Sequence, residues 1–167
     1  PSNFVEGDDL TLENGTLSNG SFDITGKIYT ATFAPTANIE DSSNVITLGT
    51  SWNDSSNNAP ASTSVSGNVS IDTKAPTATV ALDKTALKIG ETATLTITFS
   101  EVPSNFVEGD DLTLEHGTLS GGSFDITGKI YTATFTPDTN VEDSSNVITL
   151  GTSWNDSSNN APASTSV

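Results

Sequence analysis

Residues 1–65 of this chain return at 103–167, with the same residue at all but about six positions and an offset of 102. A period near 100 residues is the length of a domain rather than of a solenoid repeat, so the chain is an array of whole domains. Such an array needs a joint that can recur. The joint is read at Ile71-Asp72-Thr73-Lys74-Ala75-Pro76-Thr77, where the first copy ends and new sequence begins. Pro76 fixes its own φ and biases Ala75 toward extended backbone, which makes the joint short and stiff. The chain opens in the middle of a repeat and is expected to be a fragment, so the lack of a leader sequence says nothing about a parent protein.

Between the joint and the second copy lies the clearest strand, Glu91-Thr92-Ala93-Thr94-Leu95-Thr96-Ile97-Thr98-Phe99. Ala93, Leu95, Ile97 and Phe99 fall on one face and the threonines on the other, a period of two that a helix would scatter around its circumference. Taken in order, strands are expected at 77–82, 92–99, Phe106 with 112–114, a short piece around Thr118-Leu119, 129–135, 146–154 and, from the first copy, 65–71. Glu108-Gly109-Asp110-Asp111 is read as an acidic turn interrupting the third strand, and Val65, Val69 and Ile71 as the inward face of the last. Seven short strands with Gly, Asn, Asp and Pro between them predict an all-β fold, an immunoglobulin-like β-sandwich in tandem repeats of about 102 residues. The repeat at 1–73 then lacks its first two strands, and the repeat at 74–167 lacks most of its last. Truncated sheets expose edges that template pairing, so strand exchange between truncated copies is expected beside the packing of neighbouring identical repeats.

Charge removes whole classes of function. Five lysines and no arginine face 21 carboxylates, a net charge of −16. Nucleic acid and anionic membrane surfaces both require basic patches, so neither is a partner. No run approaches the 18 or more apolar residues of a membrane span, and none is expected to insert. The absence of cysteine removes disulfides from the argument.

Asp72-Thr73-Lys74-Ala75-Pro76-Thr77, Phe99-Ser100-Glu101, Asp111-Leu112-Thr113, Tyr131-Thr132-Ala133-Thr134-Phe135 and Asn155-Asp156-Ser157-Ser158-Asn159-Asn160 occur in that order. In this order and tandem spacing the chain resembles the bacterial Ig-like repeats of large biofilm-associated, RTX-type surface adhesins. The resemblance covers essentially the whole chain. It implies secretion to the bacterial cell surface, a role as extender between a surface anchor and a distal binding end, and stiffening by calcium. One departure stands in the loop after the sixth strand, where such repeats often carry Asp-x-x-Gly-Asn. Asn159 replaces that glycine, and Asn tolerates positive φ best after Gly.

Catalysis finds little to stand on. His116, the one histidine, has Asn14 at the equivalent place in the other copy, and a glycosidase pair of carboxylates needs a cleft that a thin sandwich lacks. The chain is read as no enzyme. Calcium suits the composition better, since it takes six to eight oxygens from carboxylates, amides and carbonyls. No contiguous calcium loop is present, so a site must be assembled from separate loops. At one end of an immunoglobulin-like sandwich, Asp72 of the joint meets Glu101, Asp125, Asp156 and Asn160, while Glu40 and Asp41 face the joint from a loop of the preceding repeat. The competing reading is that these acids only cap turns. Trp52 and Trp154 share parity with Ile46/Leu48 and Ile148/Leu150, which makes them core lids rather than sugar platforms. A carbohydrate-binding module, or an accessory Ig-like module of a secreted polysaccharide-active enzyme, is the alternative function.

Overall fold

A computed structural model describes all 167 residues. The chain divides into two compact units, Pro1–Lys74 and Ala75–Val167. The first holds α1 (Glu6–Asp9), β1 (Leu10–Leu12), β2 (Gly15–Phe22), β3 (Tyr29–Pro35), β4 (Glu40–Asn44), β5 (Ile46–Leu48), β6 (Ser64–Val65) and β7 (Val69–Asp72). The second holds β8 (Ala78–Leu82), β9 (Ala93–Phe99), α2 (Glu108–Asp111), β10 (Leu112–Leu114), β11 (Gly117–Phe124), β12 (Ile130–Pro137) and β13 (Ile148–Leu150).

In the second unit β9 behaves as its alternation requires. Ala93, Leu95, Ile97 and Phe99 are buried while Thr94 and Thr98 are exposed. The strand lies between β8 and β12 in a four-stranded antiparallel sheet of order β11-β12-β9-β8. Val80 stands opposite Ile97, and Ala133 opposite Leu95. A second, two-stranded sheet pairs β10 with β13, Leu112 opposite Leu150. Leu95, Ile97 and Phe99 of one sheet join Leu112, Ile148 and Leu150 of the other and Trp154 in a single core. Each such side chain contributes roughly 1.5–3 kcal/mol on leaving water. Ser166 ties the two layers together: its backbone bridges to Leu150, and its hydroxyl donates to the Ala78 carbonyl at 2.8 Å. This is an all-β, immunoglobulin-like sandwich.

The first unit repeats the later strand pairs in the same register. β1 lies on β5, and β2 on β3. It contains no counterpart of β8 and β9. Leu17, Tyr29, Ile46, Leu48 and Trp52 are therefore only half-buried, and Ile71 is its one buried apolar side chain.

Several strands differ from their expected form. The piece around Thr118-Leu119 is the eight-residue β11, because a bulge between Ser120 and Ser123, with Gly121 at φ +67°, lets pairing continue to Phe124. The strand expected at 146–154 shrinks to β13. Phe106 is in no strand, and the acidic turn after it is the helical turn α2. The strand expected at 65–71 is split into β6 and β7, and Val65 and Val69 point outward at 59% and 53% exposure; only Ile71 faces in. Glu40 and Asp41 lie in a strand, β4, rather than in a loop.

Candidate metal centre

The loop after Trp154 is built by one carboxylate. Asp156 Oδ1 accepts the backbone N–H groups of Ser158 and Asn160, each at 2.8 Å, and Oδ2 accepts the Asn160 side-chain amide at 2.9 Å. The Asp156 N–H donates to the Asn160 carbonyl at 3.0 Å, closing the loop on itself. Asn159 makes the required turn at φ +68°, and Asn155 steadies it by donating its side-chain amide to Asn159 Oδ1 at 2.9 Å. Asparagine thus occupies the left-handed position left by glycine, as its tolerance of positive φ allows. Asp156 itself is fully buried. Its counterpart in the first unit, Asp54, makes the same bonds while exposed, so the short-range sequence sets the loop shape in both copies. Those N–H groups, Asn58's first, hold the Asp54 carboxyl below its ordinary value.

Glu101 follows the end of β9, half-buried, and Asp72 is the last residue of β7. Within the second unit, Glu101 and Asp156 each offer a carboxylate oxygen, within 4.8 Å of each other. Asn160 is tied to Asp156 as described above. At an effective dielectric constant of about 20, two carboxylates at such a separation repel by on the order of 3 kcal/mol. This pair offers oxygen only and carries two carboxylates, with no histidine or cysteine beside them. That chemistry fits a hard divalent cation of the calcium type and not a zinc-like ion.

The other acids named from the sequence spend their oxygens closer to home. Asp125 closes the β11–β12 hairpin, accepting the N–H groups of Ile130 at 3.0 Å and Lys129 at 3.2 Å and the Thr127 hydroxyl. The Ile130 N–H, then Thr127, keeps its carboxyl below the ordinary value. It is a turn cap. Glu40 is ion-paired with Lys74 at 3.0 Å and sits opposite Asp72 on the β4–β7 ladder. Asp41 accepts the Asn14 amide at 3.0 Å and the Ser43 N–H at 2.9 Å.

Two buried polar pairs were not visible in the sequence. Asp111 takes the Val107 N–H at 2.7 Å and the Ser153 hydroxyl, pinning α2 against the loop after β13. The Tyr131 hydroxyl donates to Glu108, and burial together with that carboxylate raises the phenol above its usual range. Only the spacing of an acid to a serine 42 residues away could have revealed the first, and such spacing carries no local signature.

Two tandem β modules that share strand pairs, register and loop chemistry define a structural repeat of the immunoglobulin-like class. The profile of the bacterial Ig-like domain matches residues 1–71 and again 72–167, and the chain belongs to that family. Its members are non-catalytic modules, typical of surface proteins. The second match begins at Asp72, so Asp72, Glu101 and Asp156 all fall inside it. No curated protein and no solved structure matches the chain. No helix is long and apolar enough to cross a membrane.

Proposed function

We propose that the chain is a length of stalk from a bacterial cell-surface adhesin, extender domains that hold a distal binding domain away from the cell for adhesion and biofilm formation. In this reading calcium stiffens each joint, held by the carboxylates of Asp72, Glu101 and Asp156 with the Asn160 amide oxygen beside them. The observation that supports it is the approach of the Glu101 and Asp156 carboxylate oxygens to within 4.8 Å of each other in the second unit, inside a repeat whose family match begins at Asp72. Small interfaces between domains permit relative motion, and a stalk that must project its tip gains from a ligand that removes it.

The carbohydrate-binding alternative loses support from Trp154, which is 1% exposed and packed edge-on against Phe99. A sugar platform needs an open ring face.

The test is small-angle scattering of the chain in calcium and in chelator, paired with thermal melting. The expected result is a larger maximum dimension and a higher melting temperature in calcium. Equal dimensions and equal melting would leave a passive spacer and end the calcium reading.

A further inference from the structure

Two of the few positions at which the copies differ have a chemical feature in common. The first copy reads Asn14-Gly15 and Asn19-Gly20, and the second reads His116-Gly117 and Gly121-Gly122. Both Asn-Gly pairs of the chain therefore lie in the first copy. Asn-Gly is the dipeptide most open to deamidation, because glycine has no side chain to shield its nitrogen from the asparagine carboxamide carbon.

The fold writes this pair at 19–20 through two independent requirements. β2 and β3 pair through Ser18 opposite Thr32 and Ser21 opposite Thr30, so Asn19 and Gly20 together stand against Ala31 alone. The first residue of this bulge takes φ +56°, as Gly121 takes +67° in the second unit, a region that Gly and Asn enter at the lowest cost. The second residue must be glycine. A Cβ on Gly20 would overlap the Tyr29 hydroxyl and the Glu6 carboxylate, just as one on Gly122 would overlap Tyr131 and Glu108. With glycine fixed at the second place, Asn at the first creates a reactive pair.

The two pairs are not equally available. The half-buried Asn14 donates its amide to Asp41 Oδ2 at 3.0 Å and to Asn44 Oδ1 at 2.7 Å. Its carboxamide must leave both partners before it can turn toward the Gly15 nitrogen. Asn19 is exposed, and its side chain makes no hydrogen bond. Gly121 is exposed at the same place in the second unit, so the exposure belongs to the bulge itself.

We propose that Asn19 is a site of spontaneous deamidation. The Gly20 nitrogen attacks the Asn19 side-chain carbonyl carbon and gives up its proton. A C–N bond forms, ammonia leaves, and a five-membered succinimide remains. Water then adds at one of the two ring carbonyls and opens the ring to aspartate or to isoaspartate. Water is the only reactant from outside the chain. Aspartate keeps the main chain as it was. Isoaspartate adds a methylene to the main chain of the bulge, and Gly20 has no slack against Tyr29 and Glu6 to take it up. The Tyr29–Glu6 bond and the pairing of Ser21 and Phe22 with β3 are loosened as a result. A tandem array then ages only in the repeats that carry Asn at this place.

The test is to age the full 167-residue chain in warm, mildly alkaline buffer and map its peptides by mass. The peptide holding Asn19 is expected to gain one mass unit and to accept methyl groups from an isoaspartyl methyltransferase. In the folded chain Asn19 should react about tenfold or more faster than Asn14, whose two hydrogen bonds must first open. In urea the two should react alike, because each is then only an Asn-Gly pair. Asn19→Gly should remove the modification at this position while the chain melts as the parent does. Hydrogen exchange at residues 21–22 and 29–30 should quicken by about tenfold in the isoaspartate fraction. It should stay near the parent's in Asn19→Asp, which carries the charge without the added methylene. A folded chain that leaves Asn19 intact, or that loses Asn14 as fast as Asn19, overturns the site. Exchange unchanged in the isoaspartate fraction, or quickened equally in Asn19→Asp, overturns the loosening by the added methylene.

Discussion

Trp154 stands edge-on to Phe99, ring centroids 4.9 Å apart and planes at 82°. The contact joins the end of β9 to the loop after β13, so it clamps the two layers of the second unit at the end where Asp156 lies. Both rings are almost fully buried. Replacing Phe99 by Ala removes the clamp and leaves a void under Trp154. The expected loss is about 3–5 kcal/mol, the usual cost of a buried phenylalanine. Chemical denaturation followed by tryptophan emission measures it. A loss below about 1 kcal/mol would mean that the core collapses around the gap.

Asp23, at the β2–β3 turn, accepts the Thr25 hydroxyl at 2.7 Å and the Lys27 and Ile28 N–H groups, each at 3.0 Å. Thr25 first and then these backbone donors lower its carboxyl from 3.8 to about 2. A carboxyl depressed in the folded state contributes stability above its unfolded value and loses it as pH falls through the folded one. The Asp23 contribution is therefore complete above about pH 4 and gone below about pH 2. Thr25→Ala removes the largest cause and should move the titration upward. Carbon-detected NMR of the Asp23 carboxyl reads the change directly, and an unchanged midpoint would refute the assignment to Thr25.

Positive φ explains two of the differences between the copies. Asn19 and Gly121 sit at φ +56° and +67° in the same bulge, and Asn14 and His116 at +49° and +50° in the same turn. Substitution there stays among residues that accept the left-handed region. Asn159 at φ +68° follows the same rule. Asn159→Gly should change stability by only a few tenths of a kcal/mol, whereas Asn159→Val should cost about 1–2 kcal/mol for the backbone alone. Thermal melting of the two variants side by side gives the comparison; equal losses would show that side-chain bonding, not φ, governs the loop.

The strands that could be read in advance are those whose sequence alternates. β9 and β12 carry an apolar or aromatic residue at every second position, and that pattern has one solution on a sheet with a single buried face. β4 could not be read this way, because Glu40-Asp41-Ser42-Ser43-Asn44 alternates in nothing. It is held by Asn44, whose side chain donates to the carbonyls of Asp41 and Val69 at 2.9 and 3.0 Å and accepts from Asn14 at 2.7 Å. Polar strands built on side-chain bonds leave no periodic trace. The carboxylate cluster was partly legible for the opposite reason. Fold topology alone places Glu101 and Asp156 at one end of the second unit, while the bonds that commit Asp125, Glu40 and Asp41 to their own neighbours depend on local geometry that topology does not specify.

Asp156 separates the two roles that an acid can play here. As a loop cap it needs one acceptor oxygen for the Ser158 and Asn160 N–H groups, and an amide oxygen serves. As an ion ligand it needs its charge. Asp156→Asn keeps the first role and removes the second, at the cost of the bond from the Asn160 amide to Oδ2. The variant is therefore expected to melt within about 1 kcal/mol of the parent in chelator, the range of one lost hydrogen bond. In calcium the two should part. An ion that binds only the folded chain adds roughly 2.7 kcal/mol at a hundred times its dissociation constant, and the variant forgoes most of that. Asp125→Asn, a turn cap outside the cluster, should keep the full calcium response. Parallel melts of the three proteins, with and without calcium, decide the matter: a calcium shift that survives in Asp156→Asn, or one lost in Asp125→Asn, would place the ion elsewhere.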